Sequence, residues 1–162
     1  SRVQRDFAAR DHFDWGHIAH IRRQWRGPLV VKGILSPQDA ALARQHGVDG
    51  IIVSNHGGRQ LDGAVAPLRV LPAIVEQAGS GMTVMLDGGI RRGTDVIKAL
   101  ALGAQAVFVG RPFNYAAAVD GEAGVTAAID LLRAEVDRNL AMLGATTCAA
   151  LGPEHLMHRR TR

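Results

Sequence analysis

Residues 28–54 read PLVVKGILSPQDAALARQHGVDGIIVS, and the way this stretch alternates between two kinds of segment decides the fold. Both ends are short apolar runs with no polar alternation, as expected of strands covered on both faces in a parallel sheet. Between them Ser36 is placed to cap a helix, Pro37 takes its first position, Asp39 falls in the first turn and Gly47 ends it. The unit is strand, crossover helix, strand. It recurs farther on: MTVMLD (82–87), GTDVIKALALG (93–103) and AQAVFVG (104–110) repeat the plan. Asp39 falls on Asp95, Gly47 on Gly103, and Ile51-Ile52-Val53 on Val107-Phe108-Val109. Thr94 is the expected cap of the second crossover helix. Repeated units of this kind demand a parallel α/β sheet, either doubly wound or rolled into a barrel.

Two further helices flank the repeat. FDWGHIAHIRRQWRG (13–27) has Asp14 as cap and Trp15, Ile18, Ile21 and Trp25 along one side. GEAGVTAAIDLLRAEVDRNLAMLG (121–144) places Val125, Ile129, Leu132, Val136, Leu140 and Leu143 on one face of a long helix after the fourth strand. His12, His17 and His20 fall in or beside the first of these. His17 and His20 have a spacing that a metal could use, but no third ligand follows, so solvated histidines are the expectation.

Composition narrows the partners. The chain has 162 residues, of which 47% are hydrophobic and 21% charged, a globular balance. No apolar run reaches the length of a membrane span, and the opening SRVQRDFAARDHFDW lacks the apolar core of a secretory signal, so the chain reads as soluble. The single cysteine, Cys148, has no internal disulfide partner. A net charge of +4 suggests an anionic partner, yet the basic residues are scattered and aromatics are 4%, which argues against nucleic acid. A small phosphorylated ligand or an acid substrate fits isolated arginines better.

The chemistry collects where strands stop. Lys32 follows the first run, Ser54, Asn55, His56 and Arg59 the second, Asp87 to Arg91 the third, and Gly110-Arg111 the fourth. In parallel α/β folds the carboxyl ends of the strands form the active face. The loop DGGIRRG (87–93), with Arg91 or Arg92, and the GRP at 110–112 suit a phosphate, which barrels hold after their last two strands. His56, three residues before Arg59, looks like a base beside an anion clamp.

Together SNHGGRQLDG, LVVKGILSPQDA, DGGIRRGTDVIKALALGA and VGRP closely resemble the FMN-dependent α-hydroxy acid oxidases and dehydrogenases, the family of glycolate oxidase, L-lactate dehydrogenase, mandelate dehydrogenase and flavocytochrome b2. The resemblance runs from about Phe13 to Leu156. It implies oxidation of a small L-2-hydroxy acid to the 2-oxo acid with FMN as cofactor. His56 would be the active-site base and Arg59 would bind the substrate carboxylate. Lys32 would sit by the flavin ring, Ser54 would contact the flavin, Asp87 the ribityl hydroxyls, and Gly89, Arg91, Gly110 and Arg111 the phosphate region. No metal is implied.

A (β/α)8 barrel runs to about 250 residues, and only four strands are visible. The chain therefore reads as the C-terminal half, about strands 5–8, of one FMN-binding barrel domain. Residues 1–12 would be a mobile connecting segment and 153–162 a tail. The first half, with its substrate-facing tyrosines and the aspartate that orients the histidine, is expected on a companion chain or across a cleaved or disordered connection. The resemblance further implies a homo-oligomer, a tetramer in the family, located in the cytoplasm or associated with the inner face of the membrane through an upstream segment. Two other readings compete: a non-redox barrel enzyme that binds phosphate, and a non-catalytic half-barrel fragment.

Overall fold

A computed structural model describes residues 13–157. The four apolar runs form strands β1 (Val30–Ile34), β2 (Gly50–Val53), β3 (Thr83–Asp87) and β4 (Ala106–Phe108). All neighbours are parallel, in the order β1-β2-β3-β4. That order separates the two architectures left open by the sequence. A doubly wound sheet reverses its strand order at a switch point, whereas strands added in one direction with crossovers of one hand put every helix on the same face. This sheet does the latter.

The covering layer comprises α2 (Pro37–Gln45), α3 (Pro67–Ala78) and α4 (Gly93–Ala101), preceded in the chain by α1 (Trp15–Gln24) and followed by α5 (Arg111–Leu143). Ile51, Val53, Val84 and Leu86 point from the sheet into this layer and are buried with Ala40, Leu71, Ile74 and Val96. The opposite face is largely bare among the described residues: Val30 and Phe108 are 44% and 46% exposed. The strands thus alternate between a buried and an open side, although their sequences do not. Continuous apolar runs suit a strand meant to be covered on both faces, and here one cover is missing.

Several helix boundaries depart from expectation. Ser36 Oγ accepts from the Asp39 N–H as its capping role requires, and Asp14 does the same for His17. Thr94, however, lies inside α4, which begins at Gly93. Asp95 Oδ2 accepts the Arg91 and Arg92 N–H groups and Glu135 accepts that of Gly93, so carboxylates replace the threonine hydroxyl. The last helix begins at Arg111, ten residues earlier than the apolar pattern suggested, and breaks at Asp120 and Gly121, where the backbone is non-helical. Along it Leu140 is buried, while Ile129 and Leu143 remain exposed because only part of the stripe meets α4. In α1, Ile18 is buried and Trp15 stacks on His46, but Ile21 is exposed, as is Trp25 just past the helix end. At the far end Pro153–His155 makes a 3₁₀ turn against α4. The connecting segment placed at 1–12, with His12, and the end of the tail lie outside the described residues.

Arg22 of α1 fastens the N-terminal side of the sheet. Its guanidinium donates to Asp49 Oδ2 at 2.7 Å and to the carbonyls of Gly27, Gly47 and Trp25. The Leu29 N–H, first, and Arg22, second, hold the Asp49 carboxyl below its ordinary range. The Gly93 N–H, then Arg92, do the same for Glu135. A carboxylate with a lowered folded-state pKa stabilises the fold above the ordinary carboxylate range and loses that contribution as pH falls through the lowered value. Circular dichroism during acid titration is therefore expected to show unfolding below that range. Asp49→Asn should unfold more readily at neutral pH and depend less on acid. Identical acid midpoints and equal neutral stability would contradict the assignment.

Candidate active site

The C-terminal rim of the sheet carries a groove of about 490 Å³. Lys32, His56, Arg59, Asp87, Gly89, Arg91, Gly110 and Arg111 all line it. Of the residues singled out at the strand ends, Ser54, Asn55 and Arg92 are absent from the wall, and Ser54 lies beneath it, fully buried after β2. Four strand ends converge because parallel strands in register point their carboxyl termini the same way.

At the centre is a polar cluster. Lys32 Nζ pairs with Asp87 Oδ2 at 2.7 Å and donates to Ser54 Oγ at 3.1 Å. The same Oγ accepts the His56 N–H at 3.0 Å. These bonds join β1, β2 and β3 through side chains far apart in the chain. Lys32 sits on the open sheet face, and after it Gly33 interrupts the β1 register. Gly33 has φ +101°, and a Cβ there would lie 3.0 Å from His56 Cε1. The histidine ring therefore packs on the strand where only glycine leaves room. A lone glycine inside a strand is the sequence signal for such a close approach.

His56–Gly58 forms a 3₁₀ turn, and Arg111 Nη2 donates to the Gly57 carbonyl at 3.1 Å. Arg111 thus reaches from the fourth loop to the second. The alternative between the two neighbouring arginines also resolves: Arg91 lines the groove, whereas Arg92 turns outward to Glu135 at 2.7 Å. Gly89 and Gly110 face open space, where an added Cβ would meet nothing within 4 Å. With the N-terminus of α5, which opens after Gly110, these groups make a cationic, glycine-floored recess suited to a phosphate dianion.

Some lining residues carried no sequence signal. Phe108 and Asn114 enter the groove; Asn55, noted in the sequence, stays out of it and presents a buried Oδ1 with no hydrogen-bond partner among the described residues. His17, by contrast, engages Asp14 in the α1 cap, and His20 lies beside Gln24. Among the described residues no group of three potential ligands is placed to hold a metal.

By its strand order and its rim the chain is part of a (β/α)8 barrel. It belongs to the FMN-dependent dehydrogenase family, whose model matches residues 2–158. L-lactate dehydrogenase of Caulobacter vibrioides is 47% identical over 148 residues, covering 91% of this chain and 39% of that protein. Pre-mycofactocin synthase of Mycolicibacterium smegmatis is also 47% identical, over 88% of this chain and 36% of its own length. The solved structure of the monotopic membrane protein (S)-mandelate dehydrogenase superposes with a TM-score of 0.89 at 42% identity, over 98% of this chain and 43% of that one. The chain spans about two-fifths of the length of the relatives it matches. Membership supplies FMN as the family's cofactor.

Proposed function

We propose that this chain is the cofactor- and base-bearing half of an enzyme that oxidises a small L-2-hydroxy acid to the 2-oxo acid, completed by a companion half-barrel with the other four strands. The observation that carries this reading is the convergence of Lys32, His56, Arg59, Asp87, Arg91 and Arg111 on one groove. The groove's donor set fits FMN: Arg91, Arg111 and the open glycine floor for the phosphate, Asp87 for ribityl hydroxyls, Lys32 for an electron-rich ring. FMN bound there supplies the two-electron acceptor. Arg59, planar and always charged, holds the substrate carboxylate through paired hydrogen bonds and so fixes the carbon to be oxidised. His56 accepts a proton from the hydroxy acid as its two electrons leave, and it must start neutral to do so. Lys32 keeps a positive charge beside the site where negative charge gathers.

The bare sheet face, with exposed Val30 and Phe108, supports a companion half, since open apolar sheet surface and unpaired edges favour association. Exposed Tyr115, Val119 and Leu131 on α5 offer surface for a homo-oligomer, a tetramer in our reading. No helix of the described residues is long and apolar enough to cross a membrane. We propose a cytoplasmic location, with association at the membrane's inner face through an upstream segment as the alternative.

The test is spectroscopic. The protein, purified with its companion half and FMN, should lose its yellow flavin absorbance without oxygen when L-lactate, glycolate or L-mandelate is added. A preparation that bleaches with dithionite but with no member of the panel would leave the non-catalytic fragment as the better account.

A further inference from the structure

We propose that Ser54 is a positioning residue for His56: its buried hydroxyl holds the histidine backbone in a left-handed turn and ties it to Lys32. The inference rests on His56 being the base, and it is separate from any contact between Ser54 and FMN.

Among the described residues His56 is the non-glycine residue with positive φ, at +55°. A side chain with a Cβ avoids that region unless its surroundings hold it there, and such strain collects at functional sites. Gly57 and Gly58 follow at φ +68° and +73°, and glycines by themselves give the turn little resistance to unwinding. Besides its own backbone bonds, from the Gly58 N–H to the Asn55 carbonyl and from the Arg59 N–H to that of His56, the turn needs a side-chain restraint. Downstream it is Arg111, through the Gly57 carbonyl. Upstream it is Ser54, two residues before His56, whose Oγ takes the histidine N–H at 3.0 Å. Serine hydroxyls bond their own backbone two residues on in just this way.

The same oxygen accepts Lys32 Nζ at 3.1 Å, and two lone pairs allow both bonds. Lys32 is fixed in turn by Asp87 at 2.7 Å. One buried atom therefore sets the spacing between the cation and the backbone of the base, while Gly33 leaves room for the ring. Ser54 is fully enclosed, so removing its hydroxyl takes a buried acceptor from both groups.

Amide hydrogen exchange at residues 55–58, measured in the assembled protein with FMN and after its removal, tests this directly. Ser54→Ala and Ser54→Cys should exchange about tenfold faster in both states, the loss of one hydrogen bond. Ser54→Thr, which keeps the hydroxyl, should stay near the parent. At saturating FMN the Ala and Cys variants should also turn over about tenfold more slowly with little change in KM, and Thr should restore most of the rate. Cys, somewhat larger than Ser, leaves no cavity and its sulfur accepts only weakly, so the test survives if Ala does not fold. The proposal is overturned if exchange in the Cys variant matches the parent, or if saturating FMN returns full turnover to the Ala and Cys variants. In that case Ser54 is a cofactor contact alone. Failure of the parent reading looks different: an active His56→Gln enzyme would remove the base role while leaving the exchange result intact.

Discussion

Replacing His56 with glutamine is expected to slow turnover by about a thousandfold while FMN stays bound. Glutamine nearly matches the size of histidine and still forms hydrogen bonds, but it accepts no proton at neutral pH. The loss should fall on kcat and on kcat/KM alike, because proton acceptance occurs only in the transition state. Arg59→Met should differ in kind. Losing a paired, charge-assisted contact of about 1.5–3 kcal/mol raises the KM for the hydroxy acid by about 10- to 100-fold. Steady-state kinetics on both variants separates base from clamp. A His56→Gln enzyme within severalfold of the parent rate would show that another group takes the proton.

Gly93→Ala is expected to cost about 3 kcal/mol, lowering Tm by about 6–12 °C. The direction opposes simple propensity, since alanine inside a helix is favoured over glycine by about 1 kcal/mol. Contact geometry decides. A Cβ on Gly93 would lie 2.6 Å from Glu135 Cβ and 2.7 Å from both the Glu135 carbonyl carbon and the Val136 nitrogen. Two of those three atoms are backbone of α5, which cannot rotate away, so α4 must be pushed off α5. Because α4 starts directly after Arg91 and Arg92, the shift would also move the third loop at the groove. Gly81→Ala serves as the control, as its Cβ meets nothing within 4 Å. Thermal unfolding of the two variants side by side checks the claim, and equal Tm values would refute it.

Much of this arrangement could be read from local chemistry. Ser36-Pro37 and Gly47 mark α2 because caps and stops act within a few residues, and the four apolar runs mark strands for the same reason. The groove was legible too, since functional side chains at successive strand ends must share one rim once the strands are parallel. What could not be read depends on groups distant in the chain. Thr94 lost its capping place to Asp95 and Glu135, the second of which arrives from α5. Ile129 fits the apolar stripe yet stays exposed, because periodicity shows which residues share a face but not how far a neighbour extends along it. The Lys32–Asp87 pair and the two bonds to Ser54 Oγ arise only after three strands are laid side by side. The choice between barrel and doubly wound sheet likewise needed the order of strands, which no single repeat contains.

That order has a bearing on how the molecule assembles. Among the described residues each strand bonds to those next along the chain, and only the outer edges of β1 and β4 are left for the companion half. The entropy spent on closing loops stays small at every step, which favours quick folding for a parallel architecture. A nascent chain leaving the ribosome would find each partner strand already in place, and the sheet would lengthen one rung at a time.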